Sequence, residues 1–220
     1  ETWELNTTKG IFRAPKLLIA TGSNPKIWKL LESLGHQVIP PVPSLFTFNI
    51  KDPRLKSIPG VVAADVRISV VNSSLQSEGP LLVTHEGLSA PSILKLSAYG
   101  ALELAEREYK FQIKVNFIKQ EFSDCLERLL EIKTAFPKKT ILKTSQFELP
   151  RRLWEQLVIA SEIPDDLRWA EVNKQQLQQI ASQLTEAVFT VDGKSTFKEE
   201  FVTAGGVELK GVNFKTFESK

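Results

Sequence analysis

Residues 109–117 switch character at every step. Tyr109, Phe111, Ile113, Val115 and Phe117 alternate with Lys110, Gln112, Lys114 and Asn116. A period of two requires a strand with one face buried and the other wet. From 118 to 186 the period lengthens to that of a helix. Phe122, Cys125, Leu126, Leu129 and Leu130 form one apolar stripe, and Leu153, Trp154, Leu157 and Val158 a second. Leu177, Ile180, Ala181, Leu184 and Val188 form a third, with Asn173 as its expected N-cap. The strand pattern then returns: Val188-Phe189-Thr190-Val191 and Phe197 to Val202 flank Asp192-Gly193, a hairpin signal. A chain that passes from strand to helix and back reads as an α+β protein, a β domain with a small helical bundle inserted in it.

The first half agrees with that frame. Trp3 and Leu5 alternate with Glu4 and Asn6, and Lys9-Gly10 turns the chain, so 1–22 reads as a hairpin. Leu17-Leu18-Ile19-Ala20 is an unbroken apolar run, the pattern of a strand buried on both faces. Ile27, Trp28, Leu30, Leu31 and Leu34 predict a short helix that stops at Gly35. Pro40-Pro41-Val42-Pro43 marks a linker or an edge strand, and a domain boundary. Ala64, Val66, Ile68 and Val70 predict a strand, as does Leu81-Leu82-Val83. A helix is expected from Pro91 to Arg107, with Ser89 near its N-cap. The chain thus divides into 1–40, 41–117, 118–186, 187–211 and 212–220, the second and fourth segments being two parts of one β-rich domain.

Composition narrows the function by exclusion. The 220 residues include 28 basic and 26 acidic side chains, for a net charge of +2. That near balance makes no global case for nucleic acid or an anionic membrane, and neither is expected as a partner. No apolar run approaches the ~20 residues of a bilayer span. A lone Cys125 cannot form an internal disulfide, which suits a reducing, cytoplasmic setting. Two histidines and one cysteine, without metal-ligand spacing, leave no protein-built metal site. Neither a Gly-x-Ser-x-Gly elbow, nor a P-loop, nor a Gly-x-Gly-x-x-Gly occurs. Methionine is absent, residue 1 lies in a strand-like run, and Gly205-Gly206 reads as a turn near the other end. These features are expected of an internal piece of a larger protein.

Three places could carry chemistry. Thr84-His85-Glu86-Gly87-Leu88-Ser89 joins a strand to a helix, where backbone N–H groups and the Thr84, His85 and Ser89 side chains can meet an anion. The same segment is explained more simply as a turn and a helix cap. His36 follows Gly35 and reads as a cation favourable at a helix C-terminus. Lys138, Lys139, Lys143, Arg151 and Arg152 form a basic cluster opposed only by Glu148. It is either a solvated loop or a surface for RNA or a protein partner.

A series of short motifs runs through almost the whole chain in order. Leu18-Ile19-Ala20-Thr21-Gly22 comes first, then Leu34-Gly35-His36, Pro43-Ser44-Leu45 and Thr84 to Pro91. Val202-Thr203-Ala204-Gly205-Gly206-Val207 and Thr216-Phe217-Glu218-Ser219-Lys220 complete it. The set resembles the bacterial NAD(P)/FAD-dependent oxidoreductases of the aminoacetone-oxidase-like (BaiN-like) flavoprotein family. In that family a β-barrel-like domain with a helical subdomain is inserted into a split Rossmann domain that binds FAD. The resemblance implies that this chain is the insert, with a hairpin and helix at 1–40 and a return at 212–220 belonging to the flavin domain. Ala20, Thr21, Gly22, Thr203, Gly205 and Gly206 match turns that lie near the cofactor. Thr84, His85, Gly87 and Ser89 would shape the substrate pocket, and the rest of the flavin domain would be the partner.

It further implies FAD in a longer parent, with NAD(P) as a possible second cofactor, a small-molecule substrate, and an isolated chain that is inactive and colourless. The rival readings are an RNA- or protein-binding module built on the basic cluster, and a structural insert that mediates homodimerisation. Two departures stand out. Ser23-Asn24-Pro25-Lys26 replaces a longer Gly/Ser-rich stretch, and Ser89-Ala90-Pro91 stands where relatives have Ser-Gly-Pro. Alanine lacks the access to positive φ that glycine has.

Overall fold

The protein is described by a computed structural model that covers residues 2–195 and 202–220. It divides into two units, residues 1–41 with 205–220, and residues 42–204.

The first unit opens with β1 (Trp3–Thr7) and β2 (Gly10–Ala14), an antiparallel hairpin with Thr7 opposite Gly10. Both faces are largely exposed: Trp3, Ile11 and Phe12 all face solvent. The run Leu17–Ala20, expected as a buried strand, is neither strand nor buried, and Leu18 is 87% exposed. Such a run needs neighbours on both sides, and among the described residues no strand pairs with it. The helix α1 (Pro25–Ser33) begins where Asn24 Oδ1 accepts from the Lys26 amide at 3.0 Å. It ends in a Schellman turn. His36 N donates to Leu31 O and Gly35 N to Glu32 O, both at 3.0 Å. The Pro-rich crossing is β3 (Val38–Pro43), an edge strand.

In the second unit the chain forms β4 (Phe48–Asn49), the one-turn helix α2 (Pro53–Lys56), β5 (Val62–Val70), β6 (Gln76–Val83) and β7 (Gly87–Ser89). Then come α3 (Pro91–Tyr99), α4 (Ala101–Glu106) and β8 (Lys110–Asn116). The helices α5 (Phe122–Ala135), α6 (Arg151–Ala160) and α7 (Lys174–Thr185) precede β9 (Ala187–Asp192). Six strands make one antiparallel sheet in the order β4-β7-β6-β5-β8-β9. Its two edges meet. Phe48 bridges Lys194, Asn49 N donates to Gly193 O at 3.0 Å, and Ser195 N donates to Thr47 O at 3.1 Å. The result is a nearly closed barrel, which removes most of the exposed edge.

The alternation read at 109–117 fills this barrel: Phe111, Ile113 and Val115 point inward beside Phe48, Val66, Ile68, Leu81, Leu88 and Phe189. Phe48 and Phe111 meet edge to face with ring centroids 5.2 Å apart. At the start of β5 the phase differs from expectation, since Ala63 rather than Ala64 is buried. A bulge between Ala63 and Val66 shifts the register against β6 by one residue. The helix expected over 91–107 is two helices, α3 and α4, meeting at Gly100. Ser89 does not cap it. The N-cap is Ala90, at φ 84° and ψ 174°, and Ser89 belongs to β7.

The helical part sits between β8 and β9. Phe117 N donates to Leu184 O at 2.8 Å where the chain leaves the barrel. Asn173 and Gln176 form a reciprocal capping box at the start of α7, with bonds of 3.0 and 2.9 Å. Cys125, Leu129, Leu153, Trp154, Leu157, Leu177 and Leu184 share one continuous core with the barrel. Val188, expected on the third helical stripe, lies on β9 and faces outward, because α7 has already ended at Thr185. The second strand of the hairpin expected after Asp192-Gly193 falls almost wholly on 196–201, outside the described residues.

The chain ends with β10 (Thr203–Val207), which pairs with β3, and with β11 (Val212–Asn213) paired to β12 (Glu218–Ser219). Gly205 and Gly206, expected as a turn, lie within β10. Gly205 is at φ +95°, and a Cβ there would meet the Ile39 and Pro40 carbonyl oxygens at 2.9 and 2.8 Å, so only glycine lets β3 approach this closely.

Candidate functional site

Where β4, the β6–β7 turn and the end of β9 converge, the second unit opens into a cleft of about 820 Å³. Three stretches build it: Asn49 to Lys56, Thr84 to Gly87, and Asp192. The volume lies within the ~300–1,000 Å³ range of small-molecule sites.

The Thr84–Gly87 turn is tightly made. Thr84 N donates to Gly87 O at 2.8 Å, and Thr84 Oγ1 accepts from the amides of Gly87 and Glu86 at 3.1 and 3.3 Å. Those two N–H groups and the Thr84 hydroxyl are therefore engaged in holding the turn. Ile50 N donates to Glu86 O at 2.8 Å and fixes the turn against the segment after β4. Gly87, at φ +152°, leaves no room for a side chain: a Cβ would lie 2.1 Å from Phe48 O and 2.6 Å from Ile50 N. His85 and Glu86 are left exposed at the cleft mouth.

The opposite wall begins at Asp52-Pro53. Asp52 caps α2, its Oδ1 accepting from the Arg54 amide at 2.9 Å. The Arg54 guanidinium grips the same carboxylate through Nε–Oδ1 at 2.8 Å and Nη2–Oδ2 at 2.7 Å. It also donates to Gln183 Oε1 at 2.8 Å and Val188 O at 2.5 Å, and lies 3.9 Å over the Phe189 ring. The two side chains are only 14% and 17% exposed. Burial alone would raise the Asp52 pKa, but the side-chain and backbone donors of Arg54 outweigh it and hold the carboxyl below its usual range. One guanidinium thus ties the cleft wall to both β9 and α7. Lys51 and Lys56 project from this wall, exposed and without an ion pair among the described residues.

Of the predicted pocket residues, Thr84, His85 and Gly87 line the cleft. Ser89 does not; its hydroxyl shares a hydrogen bond with Thr47 Oγ1 at 3.0 Å. Asn49, Lys51, Asp52, Lys56 and Asp192 were not singled out from sequence. An Asp-Pro helix start at 52–53 was the available signal. Of the residues matched to cofactor turns, Ala20, Thr21 and Gly22 form an exposed irregular stretch before α1, and Thr203, Gly205 and Gly206 lie in β10. Gly22 at φ +62° and Gly206 at φ +100° have nothing within 4 Å of a would-be Cβ. Gly10, Gly35 and Gly60 are equally open, and Gly206 is itself buried within β10, so openness does not single out a cofactor position; the tight approach at Gly205 is to β3. Among the described residues no His, Cys, Asp or Glu cluster could hold a metal ion. Among them, too, no helix is long and apolar enough to cross a membrane.

Residues 42–202 match the family model of the HI0933-like protein barrel and H2TH domain. The chain belongs to this family. The HI0933-like proteins are related to FAD-dependent oxidoreductases, and the nearly closed barrel with its helices is consistent with a barrel and H2TH domain. Similar relatives include the ribosomal RNA dihydrouridine synthase of Escherichia coli, 29% identical over 93% of this chain and 51% of the relative. The enzyme of the same name from Haemophilus influenzae is 26% identical over 98% and 53%. The 3-dehydro-bile acid delta(4,6)-reductase of Clostridium scindens is 23% identical over 90% and 49%. The chain thus spans about half the length of these relatives. The sequence resemblance holds at the level of this flavoprotein-related family and goes no finer.

Proposed function

We propose that this HI0933-like chain is the substrate-facing part of an FAD-dependent reductase that acts on uridine in RNA. The observation that carries the reading is the cleft, built wholly within the segment that matches the family. Support for the chemistry comes from the relatives' names. Making dihydrouridine and reducing a 3-dehydro-bile acid at delta(4,6) both remove a C=C bond conjugated to a carbonyl. Two of the three relatives carry RNA in their names, and they are the more similar ones.

Bound FAD, with NAD(P)H as reductant, would supply the hydride for such a reduction. Ala20, Thr21, Gly22, Thr203, Gly205 and Gly206 would hold it together with the remainder of a flavin domain in a longer protein. The exposed Leu17–Ala20 run suits a strand whose neighbours belong to that domain. The role of this chain's own cleft is to orient the reacting ring. The rigid Thr84–Gly87 turn and the Arg54-clamped Asp52 wall set its width, and Ile50 and Leu55 give it an apolar lining. Lys51 and Lys56 on one wall can meet a phosphate while Glu86 and Asp192 face the cleft as acceptors, with His85 as a further polar contact at the mouth. The reducing cytoplasm is the compartment that suits the single thiol.

The test uses a protein that carries this chain with its flavin-binding half. It should show the visible absorption bands of a bound oxidised flavin and form dihydrouridine in ribosomal RNA with NAD(P)H, read by mass spectrometry of nuclease digests. Lys51→Glu with Lys56→Glu, and separately His85→Ala, should lower that activity and leave the flavin bands intact. A colourless protein, or activity indifferent to these cleft substitutions, would refute the reading.

A further inference from the structure

A second cavity, of about 420 Å³, lies in the helical part between α5 and the 136–150 loop. It shares no lining residue with the cleft. Gln120, Arg128, Gln146, Phe147 and Glu148 line it, over a floor of Ile118 and Ile132. We infer that this cavity is a subsite for one unstacked nucleotide of single-stranded RNA, a holding point away from the cleft. The inference rests on the proposal that RNA is the substrate.

The lining has the chemistry that recognises a nucleobase. Phe147 is partly buried against the core and lines the cavity with the rest of its ring, where a base could stack, and such stacking tolerates any base. The Gln120 amide carries a donor and an acceptor for a base edge, and Gln146, whose Nε2 already donates to Thr144 O at 3.2 Å, keeps its Oε1 and a second N–H for one. Glu148 can accept from the N3–H of a uracil. Arg128 is 60% exposed and, among the described residues, is paired only with Glu131, at 2.6 Å. An exposed pair of this kind contributes little and is open to exchange for a phosphate.

The loop is built to hold this shape. Thr144 Oγ1 donates to Thr140 O at 2.7 Å, Ser145 Oγ to Leu149 O at 2.8 Å, and Leu149 N to Gln146 O at 3.2 Å. Trp154 Nε1 anchors the loop through Ile141 O at 2.9 Å. Within this frame Phe147 and Glu148 are consecutive residues in the left-handed region, at φ 56° and 57°. Side-chain-bearing residues held there in succession are strained, and such strain gathers at ligand clamps. Lys138, Lys139 and Lys143 on the same loop are exposed and make no ion pair among the described residues. Lys139 Nζ lies 4.7 Å over the Phe136 ring, and the excess of these three lysines over Glu148 is what a polyanion would neutralise.

The experiment measures binding of a fluorescein-labelled oligouridine of about twelve nucleotides to the 220-residue chain by anisotropy, at several salt concentrations. Phe147→Leu keeps the bulk and removes the aromatic face; it should weaken binding about tenfold. Gln120→Ala with Arg128→Ala, both at the surface, should do the same. Lys143→Ala should lower the salt slope by about one. Oligonucleotide carrying 4-thiouridine should crosslink on irradiation to the tryptic peptide between Lys143 and Arg151, which reads the site without relying on any variant. Binding that is unchanged in Phe147→Leu and in the double variant, or a crosslink confined to the Asn49–Lys56 and Thr84–Gly87 stretches, overturns the subsite and leaves the RNA reading in place. Absence of oligonucleotide binding to the wild-type chain overturns the subsite, whatever the activity assay of the flavin-bearing protein then gives.

Discussion

Ala90 stands at φ 84° and ψ 174°, a region of backbone space that is essentially reserved for glycine. It joins β7 to α3 and its carbonyl accepts the first helical bonds, from Ile93 and Leu94 at 3.0 Å, so the conformation is imposed from both sides. Replacing it by glycine should relieve strain of about 1–3 kcal/mol. Two losses offset part of the gain. Glycine loses about 0.4–1 kcal/mol more chain entropy on folding, and one half-buried methyl forfeits at most about 0.8 kcal/mol of burial. The net expectation for Ala90→Gly is a stabilisation of about 1 kcal/mol, which in a protein of this size raises Tm by about 2–4 °C. Differential scanning calorimetry and urea titration followed by circular dichroism read it directly. Ala90→Val, with a branched side chain in the same region, should move Tm the other way. A glycine variant with Tm equal to or below that of the parent would refute the strain argument.

The opposite substitution at Gly87 should be severe. A methyl 2.1 Å from Phe48 O has to push β4 away from β7, so Gly87→Ala should lose about 3 kcal/mol or more in urea unfolding. The Asp52–Arg54 clamp predicts a pH dependence. Asp52 is held below its usual pKa; its contribution is therefore present above the unfolded-state value near about 3.9 and is lost as pH falls through the folded value. Asp52→Asn should cost about 1–3 kcal/mol at pH 7 and flatten the fall in stability below about pH 4, as seen in urea midpoints across pH. Burial pushes the Cys125 thiol up to about 12. It should resist a thiol reagent at pH 8 in the native protein and react fully in denaturant.

What the sequence revealed was what local pattern controls. The alternation through Phe111, Ile113 and Val115, and the Asn173 cap of α7, depend on the chain's own period and end chemistry, and both were readable. Burial and phase depend on partners. Leu17–Ala20 has the composition of a buried strand and lies open, because composition cannot show whether neighbours are there. Ala63 replaced Ala64 in the core because of a bulge, which is a property of two strands together. Ser89 was read as a cap from its place before Pro91, yet its hydroxyl found Thr47 across the sheet. At the site, the Thr84–Gly87 turn was legible as a junction, since Gly and Thr cluster there. Lys51, Lys56 and Asp192 were not, because they come together only when β4 closes on the end of β9. The importance of Ala90 was legible only by contrast with glycine at the matching place.

β8 and β9 lie side by side in the barrel, yet the whole of 117–186 separates them along the chain. A flexible linker of that length would make their meeting slow, since distant segments must find one another before any pairing is rewarded. Helices form from near neighbours and do so early. Once α5, α6 and α7 collapse together, with Phe117 already bonded to Leu184, the start of β9 is delivered to the end of β8. A helical insertion that assembles first therefore shortens the search for the strand that shuts the barrel, and damage to its core should show as slower refolding in stopped-flow fluorescence.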